Sequence, residues 1–302
     1  MIRLALSSLL SLLALASAFA QVPPSAPTPA AEPVPVPASP AEKMGGNLSI
    51  MPVRVVMEGR TSSEEVMLRN SGKGPATYRI LFKEMVMDEN GEVQECDKKE
   101  GQVTASDLIR YSPKQVDLAP GEMQTVRIQV RKPEGLPDGE YRSHLLFQSV
   151  PAVEPPAPLV DDHEKKLTVK VSTVLGISIP VIIRHGDTHG KVSLTELRYW
   201  RPDQKVAPDA PPVLSFHMVR EGNRSLSGDV AATVESGGKL KKGTLLWEVK
   251  GNVIYTNIPW RNVHMPMYQG VNGDLKGTRV KVTFTPSDFK GTPVMAYLDI
   301  PA

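Results

Sequence analysis

The stretch KKLTVKVSTVLGISIPVIIR, Lys165 to Arg184, decides how the rest of the chain is read. Its odd positions from Leu167 to Ile179 run Leu, Val, Val, Thr, Leu, Ile, Ile, with mostly Thr, Lys, Ser and Gly between them. Successive side chains of a strand point to opposite sides, so this alternation predicts a β-strand with one hydrophobic face. At about 3.3 Å per residue the strand would run about 45 Å or more, twice the usual length. Either it crosses from one domain into the next, or it holds an apolar row ready for another chain. Proteins normally suppress exposed edge strands of this kind, so keeping one suggests that pairing is its purpose.

The start of the chain fixes the compartment. Met1 to Ala20 carries Arg3, an apolar run from Leu4 to Phe19 and the closing triplet Ala18-Phe19-Ala20 before Gln21. A charged start, an apolar centre and an A-x-A end predict a cleaved secretory signal peptide over 1–20, and hence a periplasmic or secreted protein. From Gln21 to Pro40 eight of twenty residues are proline. With its Ala, Ser and Thr this reads as an extended tether over 21–45, outside the fold. Only Cys96 is present, so no intrachain disulfide can form and buried cores must supply the stability.

About 260 residues then remain, which suits two domains of ordinary size, placed at 46–184 and 185–302. A net charge of +2 with 23% charged residues argues against a nucleic-acid partner or a polybasic membrane patch. Aromatics at 5% are too scarce for a carbohydrate-stacking groove. The region before the long strand reads as short strands separated by turns: Leu48–Met57, Ser63–Arg69, Ala76–Met87, Val116–Leu118, Gln124–Val130 and Tyr141–Val150. Asn90-Gly91 marks a hairpin, because both residues tolerate positive φ. Ala119-Pro120-Gly121-Glu122 and Leu136-Pro137-Asp138-Gly139 mark further turns.

After a hinge between Arg184 and Gly190 the pattern resumes at Val192–Trp200, Val213–Glu221, Ser227–Val234, Gly243–Val249, Val253–Thr256, Arg279–Thr285 and Val294–Ile300. No convincing amphipathic helix is seen. The expected fold is all-β, with two immunoglobulin-like antiparallel sandwiches.

The ordered segments Pro52–Gly59, Glu64–Asn70, Pro75–Arg79, Tyr111-Ser112-Pro113, Leu118–Glu122, Thr125-Val126-Arg127 and Leu136–Phe147 together resemble the PapD-like periplasmic chaperones of pilus assembly. The likeness covers Leu48 to Arg184. Each motif alone is weak, and the ordered set is strong.

The resemblance implies a chaperone that fills the open groove of an incomplete pilus or fimbrial subunit with its own long strand, then delivers the subunit to an outer-membrane usher. This is β-augmentation. The donor row would be Leu167, Val169, Val171, Thr173 and Leu175. The alternative is that these residues cover the chaperone's own core.

The resemblance also implies an anchor for the subunit's terminal carboxylate between two basic residues of an interdomain cleft. The first falls on Arg54, a charge between Val53 and Val55 that needs a partner. The family's lysine would fall around Ser178 to Pro180, where this chain has none, and Arg184 is a candidate only by proximity. Free chaperone could also self-associate through the exposed strand.

Val150 to Glu164 reads as a Pro-rich acidic loop before that strand. Asp161, Asp162 and His163 are adjacent and rarely converge on one ion, and His185 and His189 share no helix face. No metal site, cofactor or catalytic residue is therefore expected. No metalloprotease, nucleophile-elbow or phosphate-loop motif occurs, and the acidic neighbours of Cys96 disfavour its thiolate. Two other readings are a two-sandwich structural or adhesive protein and a periplasmic hydrolase with an undetected site.

Overall fold

A computed structural model of the chain describes residues 48–151, 174–203, 205, 210–267, 275–288 and 291–302. The segments at 1–20 and 21–45, and the positions Leu167, Val169, Val171 and Thr173, lie outside these residues. The described chain is mostly strand with a single turn of helix, arranged as two sandwiches with separate cores.

In the first sandwich one sheet joins β1 (Leu48–Met51), β3 (Ser63–Asn70), β9 (Met123–Val130) and β7 (Ile109–Ser112), in that order. The facing sheet runs β2 (Val55–Met57), β11 (Gly176–His185), β10 (Gly139–Val150), β4 (Ala76–Lys83) and β8 (Gln115–Leu118). Every pairing is antiparallel except β2 with β11. Alternation decides which side chains enter the core. Val66 and Leu68 of β3, Val126 and Ile128 of β9, Leu145 and Phe147 of β10, and Ile179, Val181 and Ile183 of β11 interleave there.

Two readings of this half change. Leu48–Met57 is not one strand: the chain leaves the β3 sheet after Met51 and joins the β11 sheet at Val55, so Arg54 sits in the break between two sheets. Ala76–Met87 likewise divides into β4 and the short β5 (Met85–Met87), which forms a hairpin with β6 (Val93–Glu95) around Asn90-Gly91. Gly91 has φ +85°, and an added Cβ would strike the Arg261 guanidinium, so this turn requires glycine. A single helical turn, α1 (Ala105–Leu108), precedes β7. The sequence pattern did not single out β7, whose mixed residues bury only Ile109 completely.

Asn70 shows how polar chemistry fixes a turn in this core. It is fully buried, its amide donates to the Gly74 carbonyl (2.8 Å) and the Leu118 carbonyl (2.9 Å), and its side-chain oxygen accepts from Gly72 N (2.9 Å). Asn70→Ala strands those carbonyls in the interior. It is expected to destabilise the chain by about 2 kcal/mol, read as a lower urea midpoint at unchanged slope. An unchanged midpoint would show that water satisfies the carbonyls instead.

The second sandwich packs β12 (Gly190–Trp200), β13 (Val213–Gly222) and β16 (Trp260–Pro266) against β15 (Leu245–Ile254), β14 (Leu226–Gly237), β17 (Thr278–Pro286) and β18 (Val294–Asp299). Phe216, Met218, Leu246, Met265, Val282 and Phe284 fill its core. The two strands expected at 243–249 and 253–256 are one, because β15 runs continuously through Gly251 alongside β14, with register shifts. The sequence pattern does not mark β16.

Candidate functional site: an arginine-lined cleft and an unpaired apolar edge

The even positions of β10 and β11 point away from the first core. The register sets Glu140 beside Arg184, Arg142 beside Ile182 and His144 beside Pro180. Arg54, one residue before β2, lies next to this face. The second sandwich covers it with Arg224, Ser225, Tyr255, Asn257 and Asp288, so the cleft is built from residues far apart in sequence.

Arg184 organises the floor of the cleft. Its side chain is 1% exposed, and it donates from Nε to Glu140 Oε2 (3.1 Å), from Nη1 to Glu58 Oε2 (3.2 Å), and from Nη2 to Asp288 Oδ2 (2.7 Å) and the Ser225 carbonyl (3.3 Å). Glu140 is equally buried, and its Oε2 also accepts from Ser225 N (3.0 Å) and Oγ (2.8 Å). Ser227 N donates to the other oxygen of Asp288 (3.1 Å). Burial opposes the Arg184 charge, but hydrogen bonds and charge from Asp288 and Glu140 overcome it and raise its pKa. Arg184 therefore acts within the chain, as the link that fixes β11 to both β10 and the second sandwich.

Arg54 stands at the edge of this network. Its Nη2 reaches Asp288 Oδ2 (3.2 Å) and Ser225 Oγ (3.5 Å), and 20% of its side chain remains in water. Asp288 is thus shared by two guanidiniums, and the closer one belongs to Arg184. The partner required by a charge in this setting is, in the free chain, the protein's own carboxylate.

Arg142 has a different environment. Its guanidinium lies 3.6 Å from the centre of the Tyr255 ring, and its Nη2 donates to the Met85 carbonyl (3.0 Å) and to Asn257 Oδ1 (3.2 Å). Burial lowers its pKa, against the nearby charges of Tyr255, Glu140 and Glu84. His144 is 3% exposed and meets Tyr255 edge to face. Burial, with Arg142 beside it, lowers its pKa to about 4, so the ring is neutral at pH 7.

The β5–β6 hairpin closes the cleft from the first sandwich. Asn257 Nδ2 donates to the Met87 carbonyl (2.7 Å), and Asn262 N donates to the Glu89 carbonyl (2.6 Å).

The second feature is the free side of β11. Only Val181, Ile182 and Ile183 pair with β2, so among the described residues the edge of Gly176–Pro180 away from β10 has no strand partner. Beside it Val174, Leu175 and Ile177 are 46%, 56% and 44% exposed. Leu175 is already held in register, since Ser149 N donates to its carbonyl (2.8 Å) and its own N donates to Ser149 Oγ (3.0 Å). An apolar, unpaired, extended segment has the backbone groups free to pair with a further strand.

The sequence reading thus marked Arg54, Arg184 and Leu175, and the fold brings the first two onto one aspartate while leaving the third exposed. Glu140, Arg142, His144, Ser225, Tyr255 and Asp288 join them in the fold without being marked as site residues by the sequence. One signal was legible: Glu140, Arg142 and His144 recur at period two in β10, out of phase with the inward Leu145 and Phe147, which places three titratable groups on one face. Nothing local marks Tyr255 or Asp288, which long-range folding alone brings there. No helix among the described residues is long and apolar enough to cross a membrane. Among the same residues no group of three His, Cys, Asp or Glu side chains could hold a metal ion.

Residues 47–185 match the family model described as the pili and flagellar-assembly chaperone, PapD N-terminal domain. Similar solved structures include the YadV chaperone, at 14% identity over 84% of this chain and 99% of that one, with a TM-score of 0.43. Another is the CsuC–CsuE chaperone–tip adhesion subunit pre-assembly complex from the archaic chaperone-usher Csu pili of Acinetobacter baumannii, at 16% identity, 84% and 98% coverage, and a TM-score of 0.42. A third is the Salmonella enterica SafA pilin in complex with the SafB chaperone, at 13% identity, 84% and 97% coverage, and a TM-score of 0.41. No curated protein matches the chain.

Proposed function

We propose that this chain, whose residues 47–185 match the model of the pili and flagellar-assembly chaperone N-terminal domain, is a periplasmic chaperone that holds pilus or fimbrial subunits by lending them a strand, and then passes them to an outer-membrane usher. The observation that carries the reading is the unpaired apolar edge at the start of β11. There Leu175 and Ile177 stand in water although their neighbours Ile179, Val181 and Ile183 are core residues.

A soluble chain gains nothing from leaving such a row uncovered unless a partner covers it. Leu167, Val169, Val171 and Thr173 would extend the row toward the client. Full burial of each aliphatic side chain is worth about 1.5–3 kcal/mol, and backbone hydrogen bonds to the client strand add to that. The chaperone acts stoichiometrically, with no turnover of a substrate. In this account the segment at 1–20 directs export, 46–184 is the client-binding domain and 185–302 braces it.

Arg54 serves as an anchor for the client's terminal carboxylate, exchanging its shared hold on Asp288 for an undivided one. The guanidinium fork suits a carboxylate, and the charge-assisted contact is worth about 1.5–3 kcal/mol. Arg54→Ala should therefore lower client recovery in a periplasmic pull-down without lowering the urea midpoint by more than a surface change does. Recovery equal to the native chain would remove the anchor from the account. The pull-down also tests the larger reading: the native chain should bring down a small β-rich secreted protein at a stoichiometry near one to one. A chain that recovers no partner would be a two-sandwich structural protein whose long strand only joins its halves.

A further inference from the structure

The outer face of the β12–β13–β16 sheet carries a groove of about 640 Å³ that strand donation leaves unused. Glu196, Arg198, Trp200, His217, Asn262 and His264 line it. Alternation along β13 sets the face: Leu214, Phe216 and Met218 enter the core, so Ser215 and His217 point outward. On β12 a register shift between Thr195 and Arg198 puts Arg198 opposite Ser215 and Trp200 opposite Val213. Glu196 occupies that bulge at φ +51°, a left-handed conformation that strains a glutamate.

The groove offers flat rings and hydrogen-bond donors. Trp200 is 46% exposed, His264 is exposed, and the His217 and Trp260 rings stack with centres 4.5 Å apart and planes 18° from parallel. Glu196 is the one carboxylate among the described lining residues, and it is engaged. Arg198 Nη2 donates to it (2.7 Å), and His217 Nδ1 stands 3.4 Å away. What remains is rich in donors: a guanidinium, an indole, an amide and imidazole. Such a surface suits a polyproline II segment. The carbonyls of that helix make no internal hydrogen bonds, its prolines bring no N–H, and proline-rich segments dock in aromatic-lined grooves.

The chain itself contains such a segment. Glu32–Pro40, EPVPVPASP, holds four prolines and a single charge, and lies outside the described residues. The groove of its own chain is out of reach. Leu48 pairs with Asn70, Asn70 bonds to the Leu118 carbonyl, and Leu118 and Val150 pair with the adjacent Ala76 and Thr77 of β4. The chain therefore enters the fold level with the end of β10. Glu140, in the cleft, lies about 34 Å back along that strand. The stretch from Pro40 to Leu48 spans at most about 28 Å. The groove is farther still, in the second sandwich.

We propose that the Glu32–Pro40 segment of one copy docks in this groove of a second copy, so that the chain self-associates through its own tether. The inference goes beyond the chaperone reading and stands without it. Trp200 is the platform for the proline rings, and Arg198, Asn262 and His264 donate to the segment's carbonyls. Proline fixes φ before docking, so little backbone freedom is lost on binding.

Sedimentation velocity of the full chain reads the association. The weight-average mass should rise with concentration. Trp200→Ala, and separately the combination Pro33→Ser/Pro35→Ser/Pro37→Ser/Pro40→Ser, should each weaken the association by about fivefold or more. Trp200 is about half exposed, so its variant should keep the native urea midpoint. An equimolar mixture of the two variants pairs one intact groove with one intact segment, and should associate more than either alone. A fluorescently labelled peptide of residues 31–41 should bind the proline-to-serine chain saturably, and Trp200→Ala about fivefold or more weakly.

A native chain that is monomeric at every concentration would overturn the second-copy assignment, even with the peptide bound. Association that survives both variants runs through another surface, such as the free edge of β11, and would overturn the proposal. A peptide that does not bind, or binds Trp200→Ala equally, would remove the groove. Client recovery is read separately, so each of these failures leaves strand donation standing.

Discussion

Replacing Arg184 with methionine is expected to lower the stability of the folded chain by about 3–5 kcal/mol, seen as a shifted denaturation midpoint or as loss of a single cooperative transition. The size follows from what stays behind. Glu140 has a fully buried side chain, and without Arg184 its charge keeps only the Ser225 backbone and hydroxyl donors. Asp288 loses its closest cation and keeps Arg54 at 3.2 Å.

A buried pair is weak evidence for net stability, but a buried charge stripped of its partner is costly. The double change Arg184→Met with Glu140→Met should therefore cost less than Arg184→Met alone, which a double-mutant cycle measures directly. If Arg184→Met costs under about 1 kcal/mol, the network does not link the sandwiches in the way described.

Leu175→Asp combined with Ile177→Asp is expected to leave stability almost unchanged while abolishing client recovery. Both side chains are about half exposed, so charging them costs the free chain little beyond the usual surface range of about ±0.5 kcal/mol. In a complex the same positions would face a client groove, and burying two unpaired carboxylates there offsets more than two aliphatic contacts could contribute. The contrast with Ile179→Asp is informative. Ile179 is a core residue at the same alternation phase, and charging it should unfold the first sandwich. A variant that stays folded and still recovers the client at the native level would mean that this edge is not the binding strand.

The part of the fold that sequence reveals is the part carried by alternation and turns. Val181 and Ile183 could be placed inward from the pattern of the long strand, and the Asn90-Gly91 hairpin from two residues that tolerate positive φ. Where a strand carries no clean period, as in β7, or runs through a glycine, as β15 does at Gly251, sequence breaks or misses it. The sheet switch between Met51 and Val55 was hidden because both halves are apolar and extended; only the pairing partners differ.

The cleft was legible on one side alone. Arg54 stands out as a charge among valines, whereas Asp288, which it meets, lies 234 residues away. The same limit applies to Tyr255. Its role comes from arginines of the other sandwich, which no local pattern encodes. Pro180 shows the same limit from the other side: the sequence shows no lysine there, and only the register of β10 reveals that His144 lies opposite it.

The most direct test of strand donation is hydrogen exchange of the chain alone and in complex with its recovered client, followed by mass spectrometry of the peptides spanning Lys165 to Pro180. The account predicts that the amides between Gly176 and Ile179 that face away from β10 exchange in the isolated chain and become protected in the complex, while the β1–β3 pairing on the opposite sheet is unaffected. Protection confined to other surfaces, with exchange of this segment unchanged on client binding, would contradict it.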